Sequence, residues 1–124
     1  MDKNILLVED DPLIAKMYSR ELVSHSYNVD IVENSEKLFS QLKKNNYHLI
    51  LLDILLPGVS GLEILTQLKS SDSDYKHIPV FMLSNLDKPE YIAQTVSQGA
   101  QGYFIKFATM PATLLKEINQ LFES

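Results

Sequence analysis

Ile5-Leu6-Leu7-Val8-Glu9-Asp10-Asp11-Pro12 is the stretch from which the rest of the chain can be read. Four apolar residues without a break read as a strand buried on both faces, the kind found inside a parallel sheet. Acids follow at once. Asp11-Pro12 then has the form of a helix start, an acidic N-cap with proline at the first helical position. A second run, Leu49-Ile50-Leu51-Leu52, ends in Asp53. Open α/β sheets bind ligands in the crevice at the carboxyl ends of their strands. Both sets of aspartates therefore fall where such a sheet keeps its chemistry. If the two strands are neighbours, the carboxylates of Asp10, Asp11 and Asp53 converge, and that spot needs a cation.

Outward from these runs, strand and helix signals alternate five times, the pattern of a doubly wound α/β fold with helices on both faces of a parallel sheet. Ile14, Met17, Tyr18 and Leu22 follow the first strand at helical spacing. Asn28–Val32 reads as a second strand, and Ser35 as the cap of a helix burying Leu38, Phe39 and Leu42. The third strand is Leu49–Asp53. Pro57, Gly58 and Gly61 mark a loop before a helix with Leu62, Ile64, Leu65 and Leu68. Val80–Leu83 is a fourth strand ending at Ser84, and a fourth helix runs from near Lys88 to Gln98, stopping at Gly99. Gly102–Ile105 is the fifth strand, with Lys106 at its end. The last helix begins near Met110-Pro111 and aligns Leu114, Ile118 and Leu121, with Leu115 and Phe122 beside them.

The 124 residues suit one domain, 1–124, with 45% hydrophobic and 22% charged residues. Without cysteine there is no thiolate nucleophile, zinc-thiolate centre or disulfide framework. No stretch has the length of a membrane span, and the N-terminal apolar run is too short for a signal peptide, so a cytoplasmic location is expected. A net charge of −5 argues against direct nucleic-acid binding, which wants a basic face. Lys43-Lys44, the one basic cluster, suits a helix C-terminus. His25, His48 and His77 show no ligand spacing and read as surface residues. Tyr91 and Thr95 are expected to be exposed on the fourth helix.

At the carboxyl ends of the strands lie Asp10, Asp11, Asp53, Ser84 and Lys106. Ionised carboxylates at close range need compensating positive charge. An all-oxygen set with room for waters suits Mg²⁺. Lysine supplies a point charge for an anion and serine a hydroxyl donor. Such a place suits a phosphoryl group, with Asp53 as candidate nucleophile. Phosphatases with an aspartyl nucleophile carry a second aspartate two residues later; Leu55 stands there. A Gly-rich phosphate loop with lysine is also absent, which removes the nucleotide-hydrolase reading.

In these motifs the chain resembles the receiver domain of bacterial two-component response regulators. The resemblance rests on Lys3 to Asp11, Asp53 followed by Leu56-Pro57-Gly58 and Gly61, Ser84, Gly99-Ala100, and Tyr103 three residues before Lys106. It covers essentially the whole chain and implies a flavodoxin-like sheet of order 2-1-3-4-5. It also implies a signalling phosphoacceptor rather than an enzyme, receiving a phosphoryl group on Asp53 from a histidine kinase or phosphotransfer protein. Mg²⁺ would be bound directly by Asp11, Asp53 and the Leu55 carbonyl, with Asp10 acting through water. Lys106 and the Ser84 hydroxyl would hold the phosphoryl oxygens. Tyr103 would move from exposed to buried, reshaping the face of the fourth helix, fifth strand and fifth helix for a downstream protein.

Departures from the family pattern lie around the site. Phe107 replaces the proline that usually follows the lysine. Asn85 replaces a small residue, and either hydrogen-bonds the phosphoryl group or narrows access to it. Leu86, with Leu55, is apolar where the family tunes hydrolysis, which predicts a long-lived aspartyl phosphate. Gln94, Gln98, Gln101 and Asn119 leave the output face poor in charge, so a monomer or weak phosphorylation-dependent dimer is expected. The alternative is a pseudo-receiver that binds partners without phosphorylation.

Overall fold

The computed structural model describes residues 2–106 and 111–123. Its five parallel strands are β1 (Asn4–Val8), β2 (Asn28–Val32), β3 (Leu49–Leu52), β4 (Val80–Ser84) and β5 (Gly102–Ile105), in the order β2-β1-β3-β4-β5. Between and after them run α1 (Pro12–Ser24), α2 (Ser35–Lys44), α3 (Gly61–Lys69), α4 (Pro89–Ser97) and α5 (Pro111–Glu123). Both the layer arrangement and the strand order agree with expectation. Phe107 and Met110 lie outside the described residues.

The unbroken apolar runs become the central strands because both of their faces are covered. On one face, Ile5, Leu7, Leu49, Leu51, Phe81 and Leu83 pack against Ala15, Tyr18 and Leu22 of α1 and Leu114, Leu115 and Ile118 of α5. On the other, Leu6, Val8, Ile50, Leu52 and Met82 meet Leu38 and Leu42 of α2 and Ile64, Leu65 and Leu68 of α3. β2 and β5 are the edges, and β5 is only half-buried. Val8 pairs with Leu52 and Leu52 with Met82, so β1 and β3 end level and β4 runs two residues further, to Ser84. The residues that follow each strand meet at one rim.

Helix ends follow local chemistry. Asp11 caps α1, its Oδ1 accepting from the amides of Leu13 at 2.9 Å and Ile14 at 3.3 Å, with Pro12 at the first helical position. Asn34, not Ser35, caps α2: its Oδ1 accepts from Lys37 N at 2.9 Å, which puts Ser35 inside the first turn. Lys43 and Lys44 occupy the last turn of α2, where they complement the dipole. Gly99 ends α4 with φ +104°, a conformation few other residues adopt.

Several expectations of burial fail; Tyr91 is half-buried rather than exposed. Thr95 is fully buried, because its hydroxyl satisfies itself by donating to the Ile92 carbonyl at 2.9 Å and so tolerates the inner face of α4. His48 is half-buried, and its Nδ1 accepts the Asn4 amide across the β1–β3 junction at 3.0 Å. Met17, placed on the buried stripe of α1, is 39% exposed, beside Leu13 at 79%.

Tyr47, just before β3, donates its hydroxyl to Asp30 of β2 at 2.6 Å. Burial, reinforced by that carboxylate, pushes the phenol up to about 12. A group raised in the folded state adds stability that is present below its unfolded pKa and lost as pH climbs toward the folded value. Tyr47→Phe is therefore expected to cost about 1 kcal/mol at neutral pH. The gap to wild type should then shrink between pH 10 and about 12. Urea unfolding at a series of pH values measures both; a gap that stays constant would contradict the assignment.

Candidate functional site

Four strand ends build the rim. The backbone keeps pairing one residue past the strands: Glu9 N donates to Val32 O at 2.9 Å, Asp53 N to Val8 O at 3.2 Å, and Lys106 N to Ser84 O at 2.9 Å. These bonds fix where the side chains start. Glu9, Asp53, Ser84 and Lys106 are all buried polar residues. Buried charges persist only when paired, and here they are. Lys106 Nζ donates to Asp53 Oδ2 at 2.8 Å and forms an ion pair with Glu9 Oε1.

The remaining carboxylate oxygens are held by backbone donors. Asp53 Oδ1 accepts from Leu55 N at 3.2 Å, and Glu9 Oε2 from Asp11 N at 3.0 Å. Burial pushes the Glu9 carboxyl above its ordinary value, although the Lys106 ammonium opposes the shift. For Lys106, burial alone would lower the pKa, but Asp53 and Glu9 together hold it above the ordinary lysine value. The lysine is thus held as a cation between two anions.

Glu9, Asp10 and Asp53 bring carboxylate oxygens within 4.8 Å of one another, a group that could hold a metal ion. Asp10 is the exposed member of the group. Oxygen-only ligands with one open side suit a hard divalent cation that keeps some waters. Asp11, expected from the sequence to be a direct ligand, is outside this group. Its Oδ1 is occupied at the α1 N-terminus. Glu9 takes the place in the set, one residue earlier. Sequence held a signal for Asp11: Pro12 at the first helical position calls for it as the cap.

These residues surround a cavity of about 210 Å³ whose wall also includes Leu55 and Asn85. Leu55 is 58% exposed at its mouth. Ser84 is fully buried beneath, its Oγ accepting from Leu86 N at 3.3 Å. Tyr103 is half-buried rather than exposed, its hydroxyl donating to the Leu86 carbonyl at 2.5 Å. Burial raises its phenol, the Ser84 hydroxyl opposing and the Asp53 and Asp87 charges adding to the shift. Ser84 and Tyr103 therefore meet on the backbone of one residue, Leu86. A larger cavity of about 400 Å³ lies at the opposite rim, near Tyr47, His48 and His77. Among the described residues, no metal-holding group forms there.

The response regulator receiver domain model matches residues 5–119. Response regulator RppA of Synechocystis is 35% identical over 119 residues, 94% of this chain and 49% of RppA. A transcriptional regulatory protein of Bacillus subtilis, YkoG, is 36% identical over 103 residues, 83% of this chain and 44% of YkoG. The chain thus spans about half the length of these curated relatives. Among solved structures, the chemotaxis protein CheY4 of Vibrio cholerae superposes with TM-score 0.87 at 27% identity, covering 97% of this chain and 98% of CheY4. The BeF₃-activated receiver domain of DrrB, from Thermotoga maritima, gives TM-score 0.87 at 27% identity with both chains fully covered. No helix among the described residues is long and apolar enough to cross a membrane.

Proposed function

Since this chain belongs to the response regulator receiver domain family, we propose that it is a phosphoacceptor signalling module in which Asp53 takes a phosphoryl group from a phosphohistidine of a kinase or phosphotransfer protein. The observation that supports this most is the buried Lys106–Asp53 pair beside the Glu9-Asp10 acids. An Asp53 carboxylate oxygen attacks phosphorus, the P–N bond breaks, and the imidazole leaves with the electron pair. Lys106 neutralises charge gathering on the phosphoryl oxygens. Asp10 and Asp53, with Glu9 and the Leu55 carbonyl, would hold a Mg²⁺ ion. When bound, that ion would supply positive charge to offset the charge gathering on the phosphoryl oxygens.

Phosphorylation gives the buried rim a new dianion. Ser84 pairs with Ile105, the residue before Lys106, and its hydroxyl's link through Leu86 to Tyr103 ties the rim to β5. Ligand binding shifts such an element only by its differential affinity for the two states; reversing a 1:99 population takes about 5.5 kcal/mol. The α4–β5–α5 face then meets a downstream protein, in the cytoplasm and without direct contact to nucleic acid or membrane. The unit works as a monomer or a weak phosphorylation-dependent dimer, and catalyses only its own phosphorylation and slow dephosphorylation. Exposed Leu13 and Met17 of α1 and Leu55 beside the cavity give the phosphodonor protein an apolar footing next to Asp53.

Incubation with acetyl phosphate and Mg²⁺ should add one phosphoryl mass to wild type and none to Asp53→Asn. Equal gain in the variant would move the acceptor elsewhere; no gain in wild type would favour a pseudo-receiver. Leu55 and Leu86 offer no polar side chain to orient an attacking water. The acyl phosphate is therefore expected to last minutes or longer with no phosphatase present. Decay within seconds in a radiolabel chase would contradict this.

A further inference from the structure

Four carboxylates, those of Glu9, Asp10, Asp11 and Asp53, face one ammonium, Lys106, around the cavity. A phosphoryl group entering it adds negative charge and needs hydrogen-bond donors. Lys106 already donates toward Glu9 and Asp53. The Ser84 hydroxyl is fully buried and is not part of the cavity wall. Leu55 and Ile14 on that wall are apolar and offer no side-chain donor. Asn85 is left: a neutral amide with two N–H donors, exposed at the end of β4 and on the wall. Among the described residues, no hydrogen bond occupies its side chain.

The space decides between donor and plug. Water takes about 30 Å³ in the liquid, so the cavity, at about 210 Å³ with Asn85 in place, holds several waters' worth of volume. That volume exceeds what a tetrahedral phosphoryl group needs, which favours a donor over a plug. We infer that Asn85 is a phosphoryl-contacting residue, whose amide donates to an oxygen of the group arriving on Asp53. The inference rests on the phosphoacceptor role proposed for Asp53. Asn85 adds a neutral side-chain donor to the wall, and adds it without another charge.

The test uses the whole chain with Mg²⁺, acetyl phosphate for rates and beryllofluoride for affinity, the latter followed by ¹⁹F NMR. Asn85→Ala is expected to slow phosphorylation and weaken beryllofluoride about 10-fold or more, the scale of one hydrogen bond to a charged group. Asn85→Asp, nearly isosteric but anionic, should lose more. Asn85→Ser, which keeps a donor, should recover part of the loss. An alanine variant that matches or outpaces wild type would overturn the inference and make Asn85 a plug. If wild type gains no phosphoryl mass at all, the Asp53 premise fails first, and the Asn85 role falls with it.

Discussion

Lys106→Met is expected to lower the unfolding free energy of the metal-free protein by about 3–5 kcal/mol, the usual cost of removing one partner from a buried ion pair. The lysine is 5% exposed and lies between Glu9 and Asp53, themselves 3% and 4% exposed. Methionine nearly keeps the volume but leaves two buried carboxylates with no cation between them. Their oxygens already approach one another within 4.8 Å in the group with Asp10. A divalent cation bound to the folded state stabilises it by mass action, and it meets less electrostatic competition once the ammonium is gone. Adding Mg²⁺ should therefore raise the variant's urea midpoint more than that of wild type. A variant within about 1 kcal/mol of wild type, with no larger response to Mg²⁺, would mean that the pairing contributes little.

Gly61→Ala should be nearly as damaging, for a steric reason. A Cβ built at Gly61 would lie 2.0 Å from the Asp53 carbonyl oxygen and 2.7 Å from the Ile54 Cα. Both contacts are backbone, so no side chain can swing aside. The Gly61 amide also donates to the Ile54 carbonyl at 2.8 Å, which holds the start of α3 against the Asp53 peptide. Overpacking in a core costs about 1–3 kcal/mol, occasionally more. Here the strain falls on the residue that carries the proposed acceptor. The variant is expected to lose about 3 kcal/mol, with the Asp53 backbone NMR resonances among the most shifted. Stability within about 0.5 kcal/mol of wild type would show that the loop can move away at little cost.

The fold was legible because β1, β3 and β4 are contiguous apolar runs, and only a sheet covered on both faces buries such runs. The rim was legible because polar residues follow those runs at once. The errors were local. Asp10-Asp11 was expected to be the metal pair; in the structure Asp11 caps α1, and the carboxylates that converge are those of Glu9, Asp10 and Asp53. Thr95 and His48 were misjudged because each polar side chain finds a hydrogen-bond partner that lets it tolerate burial. For Thr95 the bond runs to its own helix, and for His48 to a strand 44 residues away. Tyr103 was expected to start exposed; its partner, the Leu86 carbonyl, lies 17 residues back and is not visible in spacing.

Which acids share the cation is the point on which the site depends, and Mg²⁺ affinity by isothermal titration measures it. Asp10→Asn is expected to weaken binding at least about 100-fold, since even supporting partners of a metal ligand are worth about 10–100-fold. Asp11→Asn should weaken it less than about 10-fold, because Asn is itself a good helix cap. The reverse order, with Asp11 essential and Asp10 dispensable, would contradict the convergence of Glu9, Asp10 and Asp53 on one ion.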